Sequence, residues 1–237
     1  MKIGSLFLAP NTLGDTPPLE VIPLSSKKQL EGIQFFVFEK EKAGRLFIKN
    51  ICPNIEQGSL SVRTLNKFTK PEELEEMLYP CTLGEHVALI TDAGCPGVAD
   101  PGADLVALAH QKKIKVIPMV GPSSILLALM GSGLNGQSFA FHGYLPIEKR
   151  ARKQAIKKFE KLSSLGKQTQ LFIETPYRNN DLLKQLILNL LPDTQLSVAC
   201  DLTLPSEWIK TCSVSEWKKI ECNIHKRPAI FSFLRTP

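Results

Sequence analysis

The chain has 237 residues, of which 43% are hydrophobic and 22% charged. That composition excludes a disordered chain, a collagen-like repeat and a disulfide-stapled miniprotein, and it leaves room for one large or two smaller globular domains. The net charge of +6 suits a polyanionic partner without demanding one.

Met1 to Leu8 carries one positive charge and a short apolar stretch. It lacks the longer apolar core and small-residue cleavage site of a signal peptide. It therefore reads as a first strand over Ser5 to Ala9, and a cytoplasmic chain is expected. Gln34 to Phe38 reads as a second strand. Pro71 to Tyr79 reads as a helix with proline in its first turn and acids near its positive end. Val87 to Thr91 is a continuous apolar strand, Asp104 to Lys113 a helix closed by lysines, and Ile114 to Pro118 the next strand. Strand, helix, strand in that order predicts parallel pairing and an α/β fold.

The second half continues in that style. Ser123 or Ser124 can cap a helix through Met130, closed by Gly131. Ile125 to Met130 is the longest apolar run in mid-chain, far short of the roughly 20 residues that span a bilayer. Strands follow at Ser138 to Tyr144, Gln170 to Glu174, Leu196 to Cys200 and Ala229 to Leu234. Helices are expected at Glu148 to Leu165, Asn180 to Leu191 and Ser215 to Ile220. The turn Met119-Val120-Gly121-Pro122 divides the chain into expected domains 1–119 and 120–237.

Six scattered cysteines contain no C-x-x-C pair, and only four histidines accompany them. Reduced thiols and no metal site are expected. The literal G-x-G-x-x-G at Gly131–Gly136 has a helix before it and a strand after it, the reverse of a dinucleotide fingerprint. Its glycines read as a helix end and a turn. There is no P-loop, no G-x-S-x-G and no H-E-x-x-H. The most informative segment is Val87 to Gly102, a buried strand that runs into a turn dense in glycine and proline. Ligands of open α/β sheets bind outside the carboxyl ends of strands. Glycines there let a ligand lie against the backbone, and a tight structural turn is the alternative.

The run Thr91-Asp92-Ala93-Gly94-Cys95-Pro96-Gly97-Val98-Ala99-Asp100-Pro101-Gly102 resembles the S-D-A-G-T-P-x-x-S-D-P-G stretch of the tetrapyrrole methylase superfamily. It is closest to that of the 16S rRNA (cytidine-2′-O)-methyltransferase branch. Pro118 to Ser124, Phe139 to Pro146, Ile173 to Arg178 and Ala199 to Thr203 resemble further elements of that branch, in order. The first 80 residues match less well. The T-P-I-G-N loop stands as Pro10-Asn11-Thr12-Leu13-Gly14. The A-E-D-T-R element is reduced to Phe38–Arg45, with Lys40 in place of an acid.

The resemblance implies two α/β domains of the tetrapyrrole methylase type with a cofactor cleft between them, usually in a homodimer. It implies an S-adenosylmethionine-dependent methyltransferase acting on a ribose 2′-hydroxyl of ribosomal RNA. A methyltransferase for a tetrapyrrole or another small acceptor, and a non-catalytic cofactor- or RNA-binding paralogue, are the alternatives. Carried over by position, the cofactor contacts are Pro10, Gly94, Cys95, Pro96, Val98, Ser123 and Ser124, with Ile173, Pro228 and Ala229 from the second domain. Cys95 reads as a small wall residue where the branch carries threonine.

Removing the hydroxyl proton needs a base within hydrogen-bond reach. Glu39, Asp92, Asp100 and Glu174 are the candidate acids, and Glu39, Asp100 and Glu174 the selected catalytic set; Asp92 and Asp100 can equally cap their own turns. Arg45 and Arg178 can hold phosphate or pair with a nearby acid. The basic stretch with Arg150, Arg152 and Lys153, followed by Lys157, Lys158 and Lys161, is the candidate RNA contact. Ile156, Phe159 and Leu162 are expected to face inward beneath it.

Overall fold

A computed structural model of the chain describes residues 3–236. Met1 and Lys2, which open the segment read as free of a signal peptide, lie outside the described residues, as does Pro237. Two compact units are present, Met1–Ser123 and Ser124–Pro237. The division falls beyond the expected Met119. Met119 belongs to the first unit's core, and its amide donates to the Leu8 carbonyl at 2.9 Å.

The first unit runs β1 (Ser5–Ala9), α1 (Pro18–Val21), α2 (Leu24–Leu30), β2 (Phe35–Phe38), α3 (Glu41–Ile51), β3 (Ser61–Thr64), α4 (Pro71–Thr82), β4 (Val87–Ile90), α5 (Ala103–Gln111) and β5 (Lys115–Pro118). Its sheet has the order β3-β2-β4-β1-β5 and every pairing is parallel. Side chains alternate between faces along a strand. Phe7, Phe36, Phe38, Ala88 and Ile90 share one core with Phe47, Ile48 and Ile51 of α3. Leu6, Val37, Val87 and Leu89 share the other with Leu78 of α4 and Leu105 of α5. With both faces covered, the central strands read as unbroken apolar runs, which is why they were legible. Gly44 lets α3 close onto β2: a Cβ there would sit 2.2 Å from the Phe38 ring.

The second unit runs α6 (Ser124–Ser132), β6 (Phe139–Tyr144), α7 (Lys149–Gly166), β7 (Thr169–Ile173), α8 (Asn179–Asn189), β8 (Gln195–Cys200), β9 (Trp208–Ser213), α9 (Val214–Trp217) and β10 (Ala229–Leu234). Its sheet order is β6-β7-β10-β8-β9. Only β6 and β7 pair in parallel, so the expectation of parallel pairing holds for the first unit and fails for most of the second. Ile156, Phe172, Leu182, Leu186, Trp217 and Phe231 build the core under α7, α8 and α9, and each such buried side chain contributes roughly 1.5–3 kcal/mol. Helix α6 packs against β8, β9 and β10. It runs through Gly131, where a Cβ would lie 2.4 Å from Ile209, and the chain turns instead at Gly133 with φ +68°.

Helix α7 departs most from its sequence pattern. Its buried positions are Arg152, Ile156, Glu160 and Ser163, while Leu162 is exposed and Phe159 only partly buried. The stripe is polar because each member has a partner. The Arg152 guanidinium donates to the Pro146 carbonyl at 2.8 Å, the Ile147 carbonyl at 3.2 Å and Asp181 at 2.6 Å. Glu160 accepts from the Leu191 amide at 2.8 Å and from Thr194. The Ser163 hydroxyl accepts from the Arg235 amide at 2.9 Å. Among the described residues no helix is long and apolar enough to cross a membrane.

Candidate functional site

Parallel pairing delivers the carboxyl ends of β1, β2, β4 and β5 to one edge of the first sheet, the edge where such folds bind ligands. The segments that leave it are Pro10–Asn11, Glu39–Lys40, Thr91–Gly102 and Met119–Ser123. Asn11, 5% exposed, ties two of them together. Its backbone exchanges hydrogen bonds with Gly94 at 2.9 and 3.2 Å. Its side-chain amide donates to the Thr91 carbonyl at 3.0 Å and the Asp92 carbonyl at 3.1 Å.

The glycines of the 91–102 loop have separate reasons. Gly94 has φ +67°, where an L side chain is strained, and both its backbone groups are used by Asn11. It carries the turn. At Gly102, φ is +138° and a Cβ would lie 2.7 Å from Leu89. Gly97 donates its amide to the Pro101 carbonyl at 3.2 Å, and Val98 donates to the Cys95 carbonyl at 3.2 Å. The loop therefore holds its own shape. Pro96 is buried and the Val98 side chain exposed. Pro10 packs where a Cβ at Gly121 would come within 2.6 Å of it.

Beside this loop lies a carboxylate group. Glu39 accepts from the Asp92 amide at 3.2 Å, and Lys40 pairs with the Asp92 carboxylate. Burial, reinforced by the charges of Glu39 and Asp92 and opposed by Lys40, pushes Asp100 up to about 6. Lys40 is raised in turn, chiefly by its bond to Asp92. The Cys95 thiol donates to the Pro122 carbonyl at 3.5 Å; burial pushes its pKa up while a bond from Ser123 pulls it down. A raised pKa disfavours the thiolate, so Cys95 behaves as a wall residue. Ser124 opens α6 in the second unit.

Glu174 belongs to the second unit and lies in a different cluster. It is 5% exposed, and one oxygen accepts from the Thr175 amide at 2.7 Å and from Arg178 at 2.6 and 3.0 Å. It holds Arg178 in an ion pair, the alternative that the sequence left open for that arginine. Ile173 faces Ile230 across β7 and β10, and Ala229 faces Cys200. The Pro228 carbonyl accepts the Asp201 amide at 3.0 Å. Asp201, at φ +51°, accepts from Arg227 and Ser206 at 2.8 Å each.

Arg45 is likewise paired. It donates to Glu41 at 2.7 Å and to the Gln57 carbonyl at 2.7 Å. On α7, Arg150 and Lys153 are exposed, whereas Arg152, a candidate RNA contact in the sequence, is 2% exposed and held by Asp181 and two carbonyls. Sequence reading missed the clamp of Asn11 and the ion pair of Lys40. Asn11 carried a signal, a lone amide just after a strand and a proline; Lys40 stood out only as a departure. Among the described residues no cluster of His, Cys, Asp and Glu has the makings of a metal site.

No protein-family model matches the chain. It is 32% identical over 163 residues to ribosomal RNA small subunit methyltransferase I of Vibrio cholerae, covering 69% of this chain and 54% of that protein. It is 31% identical over 213 residues to the protein of the same name from Streptococcus pyogenes serotype M6, covering 90% of this chain and 70% of that protein. The chain spans about half to two thirds of the length of the first curated relatives it matches, 54% and 65%. Among solved structures it is similar to the methyltransferase CobJ, with TM-score 0.63, 13% identity, and coverage of 97% of this chain and 93% of that one. It is also similar to uroporphyrin-III C-methyltransferase from Thermus thermophilus complexed with S-adenosylhomocysteine, with TM-score 0.56, 17% identity and 98% coverage of both chains.

Proposed function

The chain belongs to the ribosomal RNA small subunit methyltransferase I family, and from that membership we propose that it transfers a methyl group from S-adenosylmethionine to a ribose 2′-hydroxyl of ribosomal RNA. Its fold is that of the tetrapyrrole methylase type, two α/β units in sequence. The observation that carries the proposal is the carboxylate group of Glu39, Asp92 and Asp100 at the carboxyl edge of a parallel sheet, against a loop bent by Gly94, Gly97 and Gly102.

The cofactor fits these residues. Three carboxylates against the single ammonium of Lys40 suit a positively charged sulfonium. Bound there, it supplies an activated methyl group on sulfur. Pro10, Pro96 and Cys95 would wall it and Ser123 would lie at its margin. Asp100 is the candidate base. With a pKa of about 6 it takes a hydroxyl proton more readily than an ordinary carboxylate does, yet it is ionised at neutral pH. As the ribose oxygen gains the methyl, its proton passes to the Asp100 carboxylate. The exposed Lys149, Arg150, Lys153, Lys157, Lys158 and Lys161 on α7 face the RNA backbone. Residence in the cytoplasm and assembly as a homodimer belong to the same reading.

Two measurements test it. Calorimetry with S-adenosylmethionine and its demethylated product is expected to show about one site per chain by simple stoichiometry. Transfer of labelled methyl to small-subunit ribosomal RNA is expected to rise with pH through about 6 and to fall at least a hundredfold in Asp100→Asn. Cofactor binding with no transfer to any RNA, or transfer to a tetrapyrrole, overturns the assignment.

A further inference from the structure

Tyr177 lies on the short turn Pro176–Arg178 that leads into α8, and it is 70% exposed. Its ring meets the ring of His225 edge-on, with centroids 6.1 Å apart and an interplanar angle of 73°. The Lys226 ammonium stands 5.9 Å from the Tyr177 centroid. Neither catalysis at the first unit's loops nor the cationic face of α7 uses these residues. A tyrosine so exposed buries little of its apolar ring, and burial alone does not explain its place.

The arrangement is braced. The Lys226 amide donates to the Pro176 carbonyl at 3.0 Å, and Lys226 itself is held at φ +62°, a left-handed backbone in a residue other than glycine. Asn180 accepts the Ile224 amide at 2.9 Å and donates to Asn223 at 2.8 Å. Asn179 donates to the Arg227 carbonyl at 2.6 Å. Side-chain amides on the first turn of α8 thus lock the turn before β10 onto the turn that carries Tyr177. The Arg152–Asp181 pair fastens the start of α7 to that same first turn of α8, so the cationic helix begins beside the aromatic pair.

From this geometry we propose that Tyr177, with His225 and Lys226, forms a stacking platform for one unpaired base of the RNA. The proposal rests on the RNA-methyltransferase reading above. An exposed π-face next to a cation is the chemistry that holds single-stranded RNA: the base stacks on the ring and the ammonium meets the adjoining phosphate. The flanking charge favours RNA over an apolar protein segment.

The test is binding of a single-stranded RNA of about a dozen nucleotides carrying 2-aminopurine, whose fluorescence is quenched on stacking. Tyr177→Ala is expected to weaken binding about 5- to 150-fold, the range that one base–aromatic stack contributes, and to abolish the quenching. Tyr177→Phe is expected to keep both. Lys226→Ala is expected to lower the salt slope of log affinity by about 0.7. Tyr177 is exposed, so the melting temperature of each variant should match wild type and exclude misfolding as the cause. Salt-dependent RNA binding by wild type that Tyr177→Ala leaves as tight overturns the platform and leaves the RNA reading standing. Absence of RNA binding by wild type overturns both. Loss of binding to a ribosomal protein, with protein-free RNA binding unchanged, assigns Tyr177 to a protein partner and also overturns the platform.

Discussion

The two sheets treat charged residues in opposite ways. In the first unit, parallel pairing gathers strand ends at one edge, and Glu39, Asp92 and Asp100 come together there with Lys40 as their cationic partner. In the second unit, where most pairings are antiparallel, three acids are each matched by an arginine, Asp181 with Arg152, Glu174 with Arg178 and Asp201 with Arg227, and the buried Glu160 is held by the Leu191 amide and Thr194. Among the crowded carboxylates, burial and the charges of Glu39 and Asp92 push Asp100 up to about 6. Paired ones become fasteners. The same residue types therefore crowd together in one unit and pair off in the other, and topology decides which.

The largest expected effect breaks a fastener. Arg152→Ala leaves two carbonyls and Asp181 without their donor, and denaturant unfolding should show a loss of about 3 kcal/mol, the low end for a broken buried pair because Asp181 is half exposed. Arg150→Glu, two residues away on the solvent face, should change stability by less than about 0.5 kcal/mol while weakening RNA binding. Reversing Arg150, Arg152 and Lys153 together would confuse these two effects, so the exposed pair alone is the informative variant.

On the other side of the comparison, Gly102→Ala should cost about 2 kcal/mol, because its Cβ meets Leu89 at 2.7 Å in a backbone that L residues rarely adopt. Gly94→Ala should cost about 1 kcal/mol and weaken cofactor binding by loosening the loop, since its Cβ meets only Leu13, at 3.4 Å, and the Pro122 carbonyl, at 3.9 Å. Both are read by thermal melting alongside calorimetry.

The smallest effect has the opposite sign. Asp100 titrates from 3.8 in the unfolded chain to about 6 in the fold, so the folded chain binds that proton more tightly and loses stability as pH rises through this window. Asp100→Asn should therefore raise stability at pH 8 by about 1 kcal/mol, after allowance for solvent screening, and leave it unchanged below pH 3. A melting series across pH checks the sign. Equal melting of mutant and wild type at pH 8 would mean that the carboxylate group is well solvated.

Most strands were legible because burial on both faces writes continuous apolar runs such as Val87–Ile90, and most helices because proline and the cap residues punctuate them. Helix α3 escaped notice as a helix: Glu41–Ile51 is charged along much of its length, and it is placed by Gly44 and Phe38 meeting across the sheet face. Strands β3 and β9 lie at sheet edges, where half-exposed residues leave a weak period. Of the candidate site, the 91–102 loop was readable because glycine and proline announce unusual backbone. Its clamp by Asn11 was not, since the partners stand 80 positions apart.

By itself, then, the sequence determined the α/β class, the order of the main elements, the family and the unusual backbone of the 91–102 loop, because periodicity and turn residues act over a few neighbours. Only the tertiary structure decided which charges are free. Arg150 and Arg152 look alike in the chain, yet one meets solvent and the other meets Asp181 and two carbonyls. Glu39, Asp92 and Asp100 are unremarkable acids until parallel pairing brings them to one edge and their mutual repulsion, added to burial, moves Asp100 toward neutrality. Charge is a property of the residue, but its energy depends on the dielectric and the partners around it, and those are set by distant parts of the chain.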